Sequence, residues 1–163
     1  MAKRVDIVEA NGETEMDIGK LSSVSLYDVS RKTTVELKAS ANGPKRLLVF
    51  LTAADCSSCL DELGDWLSIA KTTPSERFEV DLIYIHTASN ELASFMQSNP
   101  LPYHTYFDEQ GELSKQMNIP PQTPVTVLVD KNFKVLAAQA PAPDANARQP
   151  FIARVEAIVA RGE

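Results

Sequence analysis

The sequence predicts an α/β domain in which helices flank a mixed central β-sheet. Three observations carry that expectation. Arg46-Leu47-Leu48-Val49-Phe50-Leu51 and Val80-Asp81-Leu82-Ile83-Tyr84-Ile85 are apolar runs too short for a typical helix and rich in strand formers, the pattern of strands buried on both faces. An amphipathic stretch lies between them and supplies a crossover. Later, Val125-Thr126-Val127-Leu128-Val129 and residues 134–138 flank a turn at residues 130–133, which reads as a closing hairpin. With 163 residues, 44% apolar and 23% charged, the chain is the size of one domain with its own core, and its charge content excludes wholesale disorder.

Taken in order, residues 1–23 hold Gly12, Gly19 and several acids without a sustained period, a loosely ordered lead-in to a domain over residues 24–163. Val24-Ser25-Leu26-Tyr27 and Thr33-Thr34-Val35-Glu36-Leu37 bracket a turn and form an N-terminal β-hairpin, with Val35 and Leu37 on the buried face. Asn42-Gly43-Pro44 breaks the chain before the first buried strand. After Cys56-Ser57-Ser58-Cys59 a helix is expected, with Leu60, Leu63, Leu67 and Ala70 as its inner stripe and Trp66 beside them, ending at Thr72-Thr73-Pro74. A helix over residues 89–99 follows the second buried strand, with Ser89 as N-cap. Thr105-Tyr106-Phe107 is a short strand, followed by a small helix over residues 112–117. After a Pro/Ala connector, Phe151, Ile152, Val155, Ile158 and Val159 line a last helix, with Pro150 in its first turn.

Composition removes several function classes. Lys plus Arg is 16 and Asp plus Glu is 22, a net charge of −6 with no dense basic stripe, so no nucleic-acid partner is expected. No segment approaches the roughly 18 apolar residues of a membrane span. The basic start, Met1-Ala2-Lys3-Arg4, is not followed by an apolar stretch, so this chain is expected to carry no signal peptide. Cys56 and Cys59 are the two cysteines, which excludes a scaffold stapled by several disulfides.

A C-x-x-C pair suits half a zinc site, a redox dithiol, or two small buried residues. Its placement between a buried strand and the start of a helix favours the redox reading. There the unpaired N–H groups and positive end of the helix stabilise a thiolate on the first cysteine. Cys56 is thus the expected nucleophile, with a pKa below the free value of about 8.5, and Cys59 the resolving thiol. Asp55 opposes this, since a carboxylate beside a thiol disfavours the thiolate. His86 and His104 read as structural histidines at strand ends. Ala53 stands where a peroxiredoxin needs Thr or Ser three residues before its reactive cysteine.

From Val24 to Glu163 the chain resembles the thioredoxin-fold branch that contains the envelope thiol-disulfide oxidoreductases of cytochrome c maturation. The resemblance rests on the leading hairpin, the strand before Cys56-x-x-Cys59, Phe107-Asp108-Glu109-Gln110-Gly111, Ile119-Pro120, and Thr123-Pro124 before Val125 to Asp130. It implies a thioredoxin-like fold in which Thr123–Pro124 is a cis bond facing the cysteines and offering backbone to an extended substrate. It also implies that Glu62, three residues after Cys59, shuttles protons near the dithiol. Phe50 replaces the buried acid of classical thioredoxins, six residues before the first cysteine. The Ser57-Ser58 dipeptide supplies hydroxyls but no cation, which points to a reductase or isomerase more than to a strong oxidant. The redox group would be the dithiol itself, with no further cofactor and no metal. The implied partners are protein thiols or disulfides and an upstream redox protein, with the chain expected as a monomer; the resemblance favours the periplasm or cell envelope, and the cytoplasm stays open as the alternative compartment. Two alternatives stay open. One is copper delivery, although Gln122 stands where such a chaperone wants a histidine; the other is a binding module with vestigial redox activity.

Overall fold

The computed structural model of the protein describes residues 24–37, 42–52, 59–86, 104–139 and 145–161, with only the backbone described at residues 59–61. Seven strands form one sheet: β1 (Val24–Asp28), β2 (Thr33–Leu37), β3 (Lys45–Leu51), β4 (Phe78–Ile85), β5 (His104–Asp108), β6 (Val125–Val129) and β7 (Val135–Gln139). Their spatial order is β2-β1-β5-β4-β3-β6-β7. β3, β4 and β5 run parallel, whereas β6 pairs antiparallel with β3 and β7 antiparallel with β6. The hairpin β1–β2 joins the far edge through an antiparallel pairing of β1 with β5. The result is a mixed α/β thioredoxin-like sheet with an N-terminal hairpin extension.

The apolar runs are strands because each is buried on both faces, and alternate residues feed two separate cores. Leu47, Val49 and Leu51 of β3 join Leu82 and Tyr84 of β4 in one cluster, covered by helices α1 (Cys59–Thr72) and α3 (Ala145–Ala160). Leu48, Phe50 and Ile83 join Val125 and Val127 in the other, to which Leu113 of the short α2 (Glu112–Gln116) and the adjacent Met117 contribute. Turn chemistry fixes the hairpins. The Asp28 carboxylate accepts the N–H groups of Ser30 at 2.9 Å and Arg31 at 3.2 Å, and Asp130 accepts those of Asn132 at 2.8 Å and Lys134 at 2.9 Å.

Two expectations are corrected. The inner stripe of α1 is Leu63, Trp66 and Ile69, with Glu62 buried beside them, while Leu67 and Ala70 are half-buried. Trp66, the largest side chain on the helix, takes the central inward position and turns Leu67 outward by one residue. The last helix begins at Ala145, so Pro150 lies inside it on an exposed position and not in its first turn. The helix starts early because Arg148 is anchored to Asp65 of α1 through Nε at 3.3 Å and Nη2 at 3.2 Å, which draws the extra turn against α1. The lead-in, the helix expected over residues 89–99 and most of the Pro/Ala connector lie outside the described residues.

Candidate active site at the carboxyl edge of the sheet

β3 ends at Leu51, and α1 begins at Cys59, so the cysteine motif occupies the strand-to-helix connection. In open α/β sheets the carboxyl ends of the strands are where ligands bind. Cys56 itself, with Ser57, Ser58 and the side chain of Cys59, lies outside the described residues. The surroundings of the motif are described.

Glu62 is the fourth residue of α1, one turn after Cys59, and is 7% exposed. A carboxylate so buried must be hydrogen-bonded to be tolerated. Its Oε1 accepts the Thr126 hydroxyl at 2.6 Å and the Trp66 indole N–H at 3.4 Å. The shorter contact has the length of a hydroxyl–carboxylate bond, and Thr126 is 1% exposed. Trp66 is held in turn by an edge-on contact with Phe151 of α3, ring centroids 5.5 Å apart. Glu62 therefore sits on the α1–α3 side of the sheet. Phe50, at the position of the classical buried acid, packs into the core on the opposite side. An acid is present near the motif, and it reaches the interior from the helix, not from the strand.

Thr126 is the second residue of the strand β6, two residues after Pro124, and the Thr123–Pro124 peptide is cis. One strand start thus carries both the proline loop and the anchor of Glu62. Neither Thr126 nor Trp66 stands out as a site residue in the sequence. The only signal for Thr126 is a hydroxyl interrupting a fully apolar strand.

At the carboxyl ends of β3 and β4 lies a cleft of about 630 Å³, lined among others by Thr52, Ile85, His86, Ser114, Ile119 and Thr123. His86 caps the carboxyl end of β4 at φ 51°, donating its backbone N–H to the Asp108 carbonyl at 3.0 Å. Its ring rests on Gly111, where an added Cβ would stand 2.5 Å from His86 Cε1. Gly111 has φ 68°, so glycine is needed there both for the backbone and for the ring. Asp108 closes this corner, accepting N–H groups from Glu112 at 2.9 Å and Ser114 at 3.2 Å. Burial nevertheless holds its carboxyl above the usual range, and those backbone bonds offset only part of that. His86 thus proves to be a cleft residue as well as a structural one.

A family model described as Redoxin matches residues 19–151. The chain belongs to the Redoxin family. It is a redoxin-type thiol-disulfide oxidoreductase. No curated protein matches it by sequence. Among solved structures, the redoxin is similar to a Chlorobium tepidum protein assigned as thiol:disulfide interchange protein DsbE, at 19% identity and TM-score 0.65, covering 83% of this chain and 95% of that one. It is also similar to the thioredoxin domain of a Bacteroides vulgatus thiol-disulfide oxidoreductase, at 17% identity and TM-score 0.65, covering 86% and 96%. A secreted Mycobacterium tuberculosis disulfide oxidoreductase homologous to E. coli DsbE aligns at 18% identity and TM-score 0.59, covering 82% and 95%. These likenesses establish the fold. Among the described residues of the redoxin, no helix is long and apolar enough to cross a membrane.

Proposed function

We propose that this redoxin exchanges disulfides with extended protein substrates in the reducing or isomerising direction. Cys56 is the nucleophile, Cys59 the resolving thiol and Glu62 the proton acceptor. The Cys56 thiolate attacks one sulfur of a substrate disulfide, forming a mixed disulfide and releasing the first substrate thiolate. Glu62 then takes the Cys59 proton, and the new thiolate attacks Cys56 Sγ. The bond to the substrate breaks, and the second substrate sulfur leaves and is protonated. Two electrons pass from the dithiol to the substrate, and the enzyme is left with a Cys56–Cys59 disulfide.

The observation that carries this reading is the buried Glu62 carboxylate, gripped at 2.6 Å by Thr126 one helical turn from Cys59. Its burial has a cost that a merely solvated helix acid would avoid, and disulfide resolution needs such a base. The cleft reaching from Thr52 to Thr123 offers the space for a substrate segment, with Thr123, joined to Pro124 by a cis peptide, presenting backbone along it. The direction rests on Ser57-Ser58, which brings no cation to the thiolate, and on Asp55, which opposes it. Since a thioredoxin-type dithiol works on protein thiols, the partners are protein disulfides and an upstream reductant. The similar Mycobacterium tuberculosis structure, named as a secreted disulfide oxidoreductase, supports an extracytoplasmic setting.

The test is insulin reduction with stopped-flow trapping of the mixed disulfide. Cys56→Ser abolishes turnover, Cys59→Ser accumulates the mixed disulfide, and Glu62→Gln slows its resolution more than the initial attack. Attack and resolution slowed equally by Glu62→Gln would remove Glu62 from the reaction, and faster alkylation of Cys59 than of Cys56 would reverse the thiol assignment.

A further inference from the structure

We infer that the redoxin carries a second site, a surface cation site for a divalent transition ion of the Zn²⁺ class, formed by Glu79, Asp81 and His104. It lies at the amino-terminal ends of the parallel strands, away from the cysteine motif. Residues 79 and 81 of β4 project from the same face, two apart along the strand. The β4–β5 register sets His104 directly across from Asp81. One ligand atom from each of the three residues falls within 4.8 Å of the others.

Asp81 is the decisive member. It is 1% exposed, and neither of its carboxylate oxygens receives a hydrogen bond. A buried carboxylate without such bonds depends on nearby positive charge, and on its Oδ1 side no Lys or Arg stands at ion-pair distance among the described residues. On one side Arg46 Nε stands at ion-pair distance, 3.5 Å from Oδ2, and 3.8 Å from Glu79 Oε2. The guanidinium is also drawn over the Phe133 ring, 5.9 Å from its centroid. The other oxygen, Oδ1, faces His104 Nδ1 at 3.7 Å. Two ligands on a tetrahedral Zn²⁺ at about 2.0–2.2 Å stand roughly 3.3–3.6 Å apart, so this pair is close to a ligating separation.

Access fits as well. The His104 side chain is 58% exposed and Glu79 27%, so the two form a mouth over the Asp81 floor. Two carboxylates and one imidazole are the donor set of borderline divalent ions, and solvent can complete the coordination. A bound ion would tie β4 to β5 at the end where the described pairing of β5 begins.

Cysteine pairs bind zinc, so the test removes them. Full-length protein carrying Cys56→Ser and Cys59→Ser is stripped with chelator and titrated with Zn²⁺ alone by calorimetry and with Co²⁺ by visible absorption. One equivalent of Zn²⁺ binds, and Co²⁺ gives d–d bands without a thiolate charge-transfer band. In that background His104→Ala and, separately, Glu79→Gln weaken binding by more than about tenfold, at least the effect of losing an outer-shell partner. Unchanged circular dichroism establishes that both variants are folded. Absence of saturable binding, or binding indifferent to His104→Ala, overturns the site and leaves Arg46 and His104 as the partners of Asp81.

Discussion

Replacing Thr126 by Val isolates the contact on which the proposed proton acceptor depends. The change keeps the β-branched shape within β6 and removes only the hydroxyl that reaches Glu62 Oε1 at 2.6 Å. The carboxylate is 7% exposed and keeps the longer indole contact at 3.4 Å, so water cannot replace the lost donor easily. A hydrogen bond to a charged group contributes about 1.5–3 kcal/mol, and that is the expected loss of folding stability. For a 163-residue chain each kcal/mol corresponds to roughly 2–4 °C in Tm, a shift well within calorimetric resolution. Chemical denaturation of wild type, Thr126→Val, Glu62→Gln and the double variant closes a double-mutant cycle, with an expected coupling of about 1–3 kcal/mol. Mixed-disulfide resolution should slow in Thr126→Val as well, because the acceptor is no longer fixed. A coupling near zero, with wild-type resolution kinetics, would refute the claim that Thr126 holds Glu62 in a working position.

Three other outcomes follow from the same geometry. Gly111→Ala places a methyl 2.5 Å from His86 Cε1 at a φ of 68°, and should cost about 1–3 kcal/mol in denaturant unfolding while displacing the His86 ring, visible as altered imidazole NMR shifts. Asp108 has its carboxyl raised by burial, so its ionised form opposes folding. The stability of wild type relative to Asp108→Asn should therefore fall as pH rises from below the unfolded carboxyl value through the raised folded one, measured by urea unfolding across the acid range. Arg148→Ala leaves Asp65 without the guanidinium held at 3.2 Å and should destabilise the docking of α3 on α1, seen as faster amide exchange in α3 than in the sheet.

Much of the fold was legible because the strands of this sheet are buried on both faces, which prints them as apolar runs such as Leu47 to Leu51. The hairpins were legible from alternating strands on either side of a turn, and the structure adds that Asp28 and Asp130 close those turns with their own side chains. Glu62 was legible by its offset from Cys59 and by the family resemblance, although nothing local said that it would be buried. What holds it could not be read. Thr126 lies 64 residues away, and only the pairing of β6 with β3 brings it under α1. The phase of α1 was misread because Leu67 and Trp66 compete for the inner face, and volume decides in favour of the tryptophan. Pro150 misled in another way, since proline marks a first turn only when no tertiary anchor upstream, here Arg148, extends the helix. The Glu79–Asp81–His104 cluster depends wholly on strand register, in which residues 81 and 104 become neighbours.

The central claim is that Cys56 and Cys59 form a reversible dithiol couple that works as a reductant or isomerase, and its reduction potential tests that most directly. Equilibration of the purified protein against glutathione buffers, read by alkylation and mass spectrometry, should give a single two-electron transition involving both cysteines. The expected potential lies between the disulfide-isomerase value of about −180 mV and the thioredoxin value of about −270 mV. A potential near the strong-oxidant value of about −120 mV, or no intramolecular disulfide at any buffer ratio, would contradict it.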